Sequence, residues 1–262
     1  MNFPLTRPGI FIYAIPNNRH PLTFEKRSSL VLTSILRLTR QCFSPLPFAP
    51  IQPPFCVPEW SEPMAEEHAS IWWKVKPYTF AGVEPIVALC QSIAYLENHG
   101  IPGAIVECGV GKGGGAMASA LALLALDSTQ RQLYLYDLFA GTTALAEVKQ
   151  AMMQTRYPWE KLIFVPRNVE ESLPRHAPEQ IGLLRLTSDR YESTYHELKC
   201  LYPRLASDGI LMVDQYGQGQ GAMRAADTYF REQRIQAALR MIDASGRLSI
   251  KCSPAAMMRL AA

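Results

Sequence analysis

Four apolar runs in this 262-residue chain each end in residues able to do chemistry. Ile105-Val106 leads through Glu107-Cys108 into Gly109-Val110-Gly111-Lys112-Gly113-Gly114-Gly115. Leu133 to Tyr136 leads to Asp137. Leu183-Leu184-Arg185-Leu186 leads to Thr187-Ser188-Asp189. Gly209 to Val213 leads to Asp214-Gln215. A glycine-rich turn after an apolar run lets the backbone approach a ligand closely. Gly109, Gly111 and Gly114 formally match G-x-G-x-x-G, and Asp137 stands at a plausible distance for a ribose-binding acid. A dinucleotide would satisfy that pattern. Glu107, two residues before the first glycine, shifts the reading. A carboxylate there repels a pyrophosphate, which wants a clear helix N-terminus, and attracts a cationic head. S-adenosylmethionine carries an ammonium and a sulfonium and fits better. On this reading Glu107, Gly109, Gly111 and Gly113 serve its amino-acid end and Asp137 accepts from its ribose. Asp137 could also be a turn residue ahead of Gly141, since Asp favours turns for local reasons. Lys112 reads as a solvated loop residue.

Positioning four such ends together requires a particular arrangement of elements. Ile86, Leu89, Cys90, Ile93 and Leu96 recur at helical spacing from Pro85 to Asn98, closed by Gly100. Alternating units follow: strand 104–108 and helix 115–126, strand 132–136 and helix 143–154, strand 162–165 and a short helix 170–173. Strand 181–186 precedes helix 190–201, and strand 209–213 precedes helix 221–233. Two short strands, 237–243 and 247–251, finish the chain. Strand–helix alternation predicts an α/β Rossmann-like fold, a mostly parallel seven-stranded sheet with helices on both faces. In such a sheet the four polar ends share one edge.

Composition narrows the partners. An apolar fraction of 48% is ample for a core, and a net charge of +3 is too small to argue for nucleic acid. The charge excess lies in residues 1–63, which hold six Lys or Arg and three acids. That stretch also holds eleven of the twenty prolines, a density that disfavours regular structure and predicts a poorly ordered extension before a domain spanning 64–262. Ser28 to Gln41 could form one short amphipathic helix, too short to span a membrane. The N-terminus lacks the order of a signal peptide. Cys42, Cys56, Cys90, Cys108, Cys200 and Cys252 form no C-x-x-C pair, so neither a zinc site nor a disulfide framework is expected. Cys90, Cys108 and Cys200 read as small packing hydrophobes. The expected compartment is a reducing cytoplasm, and the expected partner is a small-molecule acceptor, with a homo-oligomer an open option.

The motifs in combination resemble the macrocin O-methyltransferase (TylF-type) family of class I methyltransferases. They are Trp73-Lys74-Val75-Lys76-Pro77-Tyr78-Thr79, Asn98 to Val110, Leu183 to Thr194, Leu201-Tyr202-Pro203-Arg204-Leu205 and Val213-Asp214-Gln215-Tyr216-Gly217. The resemblance runs from about Trp73 to Lys251. It implies S-adenosylmethionine as cofactor, with Thr79 and Val169 joining the cofactor contacts, and methylation of a hydroxyl on a sugar or another natural-product scaffold. It also implies a divalent ion, usually magnesium, held by an Asp after the fourth strand and an Asp-Asp pair after the fifth.

The chain departs from that pattern. Thr187 stands where the family has its first metal-binding Asp, also its general base. Gln215 stands at the second position of the Asp-Asp pair, leaving Asp214 unaltered. Asp189 matches a second acid of the family's D-x-D stretch, or else caps the following helix with Glu192 completing a capping box, the reading its position favours. Gly111, Arg190 and Gly219 replace expected Trp residues. An alcohol is a poor nucleophile at neutral pH; magnesium can lower its pKa and a carboxylate can take its proton. Hard cations want charged oxygens. The reaction residues are therefore expected to be Thr187, Asp189 and Asp214, and the metal set Asp214, Gln215 and Asp189, with Mg2+ lost, weakly held or rescued by Asp189. His196 reads as a surface histidine. The rival readings are a non-catalytic S-adenosylmethionine-binding homologue and, against Glu107, an NAD-linked oxidoreductase.

Overall fold

The computed structural model of the chain describes residues 66–140, 144–217 and 220–252. The expectations for the 1–63 extension, the Ser28–Gln41 helix, the turn at Gly141 and Gly219 lie outside them.

Two helices precede the sheet: α1 (Glu66–Val75) and α2 (Val83–Asn98), joined through a 3-10 turn at Lys76–Tyr78. The alternating units then appear in order. They are β1 (Ala104–Cys108), α3 (Gly114–Ala125), β2 (Leu133–Asp137), α4 (Leu145–Met153), β3 (Leu162–Pro166) and α5 (Val169–Ser172). After them come β4 (Ile181–Leu186), α6 (Tyr191–Leu201), β5 (Leu205–Val213), α7 (Gln220–Glu232), β6 (Arg240–Met241) and β7 (Arg247–Ile250). The sheet order is β3-β2-β1-β4-β5-β7-β6. β1 to β5 are parallel, and β7 pairs antiparallel with both β5 and β6.

Strand alternation divides the core in two. Ile105, Leu133, Leu135, Leu183, Ile210 and Met212 face α1 to α4. Val106, Cys108, Tyr136, Leu184, Leu186, Leu211 and Val213 face α6 and α7. By the same period of two, Glu107 and Arg185 lie on the α1–α4 face, and they are register partners across β1 and β4. Gly115, in the first turn of α3, packs over them.

Three elements differ from the sequence reading, and the first is the strand expected over 237–243, which spans only Arg240–Met241. The strand expected over 209–213 begins four residues earlier, at Leu205. Asp208 takes a left-handed φ of 63° and the pairing with β4 shifts register there, so Ser207-Asp208-Gly209 form an irregularity inside the strand. The helix α1 has no counterpart in the sequence reading: only Ile71 and Val75 of its residues are buried, one turn apart, too short a stripe to stand out. No helix among the described residues is long and apolar enough to cross a membrane.

Candidate active site

The C-terminal ends of β1, β4 and β5 open into a cavity of about 340 Å³, within the range of small-molecule sites, roughly 300 to 1,000 Å³. β1 contributes Glu107 and the loop residues Gly109, Val110, Gly111 and Lys112. β4 contributes Arg185 and Thr187, and β5 is followed by Asp214 and Gln215. Tyr78, Thr79, Phe80, Ala81 and Gly82 close one side, and Asp243 and Ser245 another. The structure thus brings together Thr79, Glu107, Gly109, Gly111, Thr187, Asp214 and Gln215.

The loop is built from backbone conformations that L side chains rarely adopt. Gly109, Gly111 and Gly113 have φ of 87°, 56° and 93°, which favours glycine at each. Asp137 holds this shape from the neighbouring strand. Its Oδ2 accepts the Gly111 N–H at 2.9 Å and its Oδ1 accepts the Phe139 N–H at 2.9 Å. Asp137 is therefore a clasp on the loop and lies off the cavity wall, as do Gly113, the N-cap of α3, and Val169, which is buried in the α6–α7 core. Lys112 is less detached than its sequence suggests: its Nζ sits 4.8 Å from the exposed Phe80 ring at the mouth.

At the floor of the cavity lies a buried ion triad. Arg185 Nη1 donates to Glu107 Oε1 at 2.6 Å, while its Nε and Nη2 donate to Asp214 Oδ2 at 3.1 and 2.5 Å. All three residues are buried. A buried charge persists when it is paired and hydrogen-bonded. Burial disfavours the Arg185 charge, but Asp214 and Glu107 outweigh it and hold its pKa above the ordinary value. Burial pushes the Glu107 carboxyl up to about 7 against the pull of Arg185. Gly115 makes the triad possible, since a Cβ there would overlap Arg185 Nη1. Sequence reasoning passed over Arg185; its signal was one guanidinium inside an otherwise apolar strand.

Thr187 is engaged elsewhere. Its hydroxyl lies 2.6 Å from the Gly109 carbonyl and 3.0 Å from that of Cys108, tying the end of β4 to the end of β1. Asp189 is exposed and off the cavity wall. It is not the cap of α6: the N-cap is Arg190, without a side-chain bond, and the Arg190 N–H goes to Ser188 Oγ at 3.2 Å. Among the described residues no three His, Cys, Asp or Glu gather as a metal-binding group. Asp214 Oδ2 is bonded to a guanidinium and only its Oδ1 is unpartnered, Gln215 on the cavity wall offers a neutral amide, Thr187 is tied to carbonyls and Asp189 lies off the wall. These residues do not fit a divalent ion.

A parallel sheet of this order, with an antiparallel last pair and a glycine loop after β1, has the architecture of class I methyltransferases. The structure of the O-methyltransferase NovP matches it with a TM-score of 0.65 at 24% identity, covering 67% of this chain and 83% of that one. The chain belongs to the macrocin O-methyltransferase (TylF) family, whose model matches residues 61–169 and 146–249. It is an O-methyltransferase by that membership. Demethyldecarbamoylnovobiocin O-methyltransferase of Streptomyces niveus is 26% identical over 198 residues, 66% of this chain and 76% of its own length. A tetracenomycin-C rhamnosyl 4'-O-methyltransferase of Streptomyces olivaceus is 26% identical over 168 residues, 55% of this chain and 64% of its own length.

Proposed function

We propose that this chain transfers a methyl group from S-adenosylmethionine to a hydroxyl of a sugar or another natural-product scaffold. The observation that carries the reading is the cavity where the glycine loop, Glu107 and Asp214 converge, in a chain of this family. The charged residues on its wall are three acids, Glu107, Asp214 and Asp243, and two bases, Lys112 and Arg185. That leaves one formal negative charge. S-adenosylmethionine carries one net positive charge and the demethylated product none, so the wall favours the cofactor over its product.

The residues present fit such a cofactor. Gly109 and Gly111 leave the loop backbone open to close approach, and Glu107 supplies a carboxylate beside it for an ammonium. When bound, the cofactor supplies an electrophilic methyl on sulfonium. Asp137, by gripping Gly111, keeps the loop in register with the floor. The Tyr78–Gly82 segment walls one side of the cavity, and transfer needs mainly an in-line approach held by these walls. The acceptor class is supported by the names of the relatives, one an O-methyltransferase of demethyldecarbamoylnovobiocin and the other of a rhamnosyl group on tetracenomycin C.

Calorimetry of the purified chain with S-adenosylmethionine, S-adenosylhomocysteine and NAD tests the cofactor. Binding of the first two and not of NAD is expected. Release of S-adenosylhomocysteine over a panel of glycosylated acceptors tests the reaction. Absence of cofactor binding would refute the proposal.

A further inference from the structure

We propose that Asp243 decides which acceptors this enzyme takes: its free carboxylate oxygen, Oδ2, accepts a hydrogen bond from a second hydroxyl of the acceptor, one that is not methylated. The inference rests on the proposed methyl transfer and deepens it, since it fixes what the acceptor must carry besides the reacting group. Asp243 and Ser245, in the turn between β6 and β7, line the cavity. Strand order sets that turn apart from the cofactor. The glycine loop and Glu107, which the proposed function gives to the cofactor, belong to β1, and β7 lies three strands away across β4 and β5. At roughly 4.8 Å per strand that is about 14 Å, which leaves the acceptor as the part of the bound pair the turn can meet.

The turn holds one carboxylate oxygen still and leaves the other open. Asp243 Oδ1 accepts the Ser245 N–H at 2.8 Å, the Gly246 N–H at 2.5 Å and the Ser245 hydroxyl at 3.1 Å. Among the described residues nothing bonds to Oδ2. The turn is fastened to the loop that follows β5. The Gly217 N–H donates to the Ser245 carbonyl at 2.7 Å, and a Cβ on Gly217 would overlap the Ala244 carbonyl. Tyr216 donates its hydroxyl to Asp227 on α7 at 2.6 Å, and its ring lies 5.5 Å from the Arg247 guanidinium. Gln215, on the same loop, also lines the cavity. Its amide and Asp243 therefore stand on one fixed wall, as precise recognition requires. Arg247 selects the charge of the group that is read. Its Nη1 donates to the Asp243 and Gly246 carbonyls at 3.1 and 2.9 Å, so a cation already stands against the turn and offsets the carboxylate. A neutral hydroxyl suits such an oxygen better than an ammonium, which the guanidinium would repel. A reaction that removes or caps this second hydroxyl must then follow the methylation.

The test measures S-adenosylhomocysteine release by the full chain from methyl glycosides, each beside its monodeoxy and monoamino analogues. For a glycoside that is turned over, loss of one hydroxyl other than the methylated one should lower kcat/KM about 10- to 100-fold, the worth of a hydrogen bond to a charged group. An amine at that position should do no better than the hydroxyl. Asp243→Asn keeps an oxygen for the turn, which Asn also suits, and puts an N–H donor in place of Oδ2. It should erase the difference between parent and deoxy analogue, a change of ratio that damage to the turn alone would not produce. If Asp243→Asn does not fold, the wild-type comparison still decides. Monodeoxy analogues all used as well as their parents would overturn the inference. So would a preference for the amine, or a ratio unchanged in Asp243→Asn. Calorimetry with S-adenosylmethionine on the same preparation reads the proposed function separately. Cofactor binding with no glycoside turned over overturns this inference alone, and absence of cofactor binding overturns both.

Discussion

Replacing Glu197 by glutamine should make the protein more stable at alkaline pH and leave it nearly unchanged in mild acid. Glu197 lies on α6, buried against the β1–α5 side of the sheet. Its Oε2 has no hydrogen-bond partner, and neither does Oε2 of Glu170 on α5. Burial first, and then repulsion from Glu170, push the Glu197 carboxyl from 4.5 up to about 8. The folded state therefore holds a proton that the unfolded state has released across that window. Stability from this group is fully present below about pH 4.5 and is lost as pH rises through about 8. Across that window, at about 1.4 kcal/mol per pH unit, the loss is roughly 5 kcal/mol. The substituted amide cannot ionise, and it can donate to Glu170. Urea denaturation at pH 5, 6, 7, 8 and 9 should show the wild type weakening with pH and Glu197→Gln staying level. The gap at pH 9 should be roughly 5 kcal/mol, on the order of 15 °C in melting temperature for a domain of this size. Parallel pH profiles for the two proteins would refute the reasoning, since the titrating group would then lie elsewhere.

The remaining predictions concern the cavity and the extension. Because Glu107 ionises at about 7, affinity for S-adenosylmethionine should tighten between pH 6 and 8 and flatten in Glu107→Gln. Glu107→Ala should lose about tenfold or more in calorimetry, the worth of a charge-assisted hydrogen bond. A flat wild-type profile would take Glu107 away from the ammonium. Gly115→Ala, ordinarily a gain of about 1 kcal/mol in a helix, should instead cost about 3–5 kcal/mol, because its Cβ would overlap Arg185 Nη1 and break a buried pair; a thermal melt at or above the wild type's would count against the triad. A chain beginning at Met64 should keep a single cooperative melt, as the proline density of residues 1–63 offers little core; insolubility would mean that the extension packs on the domain.

Much of the architecture was legible because it is written locally. The five parallel strands are short apolar runs closed by Gly, Asp, Pro or Thr, and helical runs stand between them, so their order and approximate limits follow from neighbours in sequence. The glycine loop was legible for the same reason, since positive φ at Gly109, Gly111 and Gly113 is a property of each residue alone. The polar ends were placed on one edge by topology. What could not be read was which of them touch. Asp137 has the spacing of a ligand residue, and nothing in that spacing announces that its oxygens also take the Gly111 and Phe139 N–H groups. Asp189 looks like a cap by spacing, yet the N-cap position falls one residue later, on Arg190, whose own N–H bonds to Ser188 Oγ.

Arg185 is the instructive case. Its neighbours on β4 are Leu184 and Leu186, so nothing near it in sequence explains a charge. The explanation needs the strand order. Once β4 is set between β1 and β5, alternation puts Arg185 on the same face as Glu107, directly across from it in register. Asp214 follows one residue past the end of β5 on the same alternation, within reach of the other side of the guanidinium. The residue at position 187 then sets the balance of charge on the floor. With Asp in place of Thr187 the floor would carry three carboxylates against one cation and call for a second cation. With Thr187 it carries two, and Arg185 bridges both.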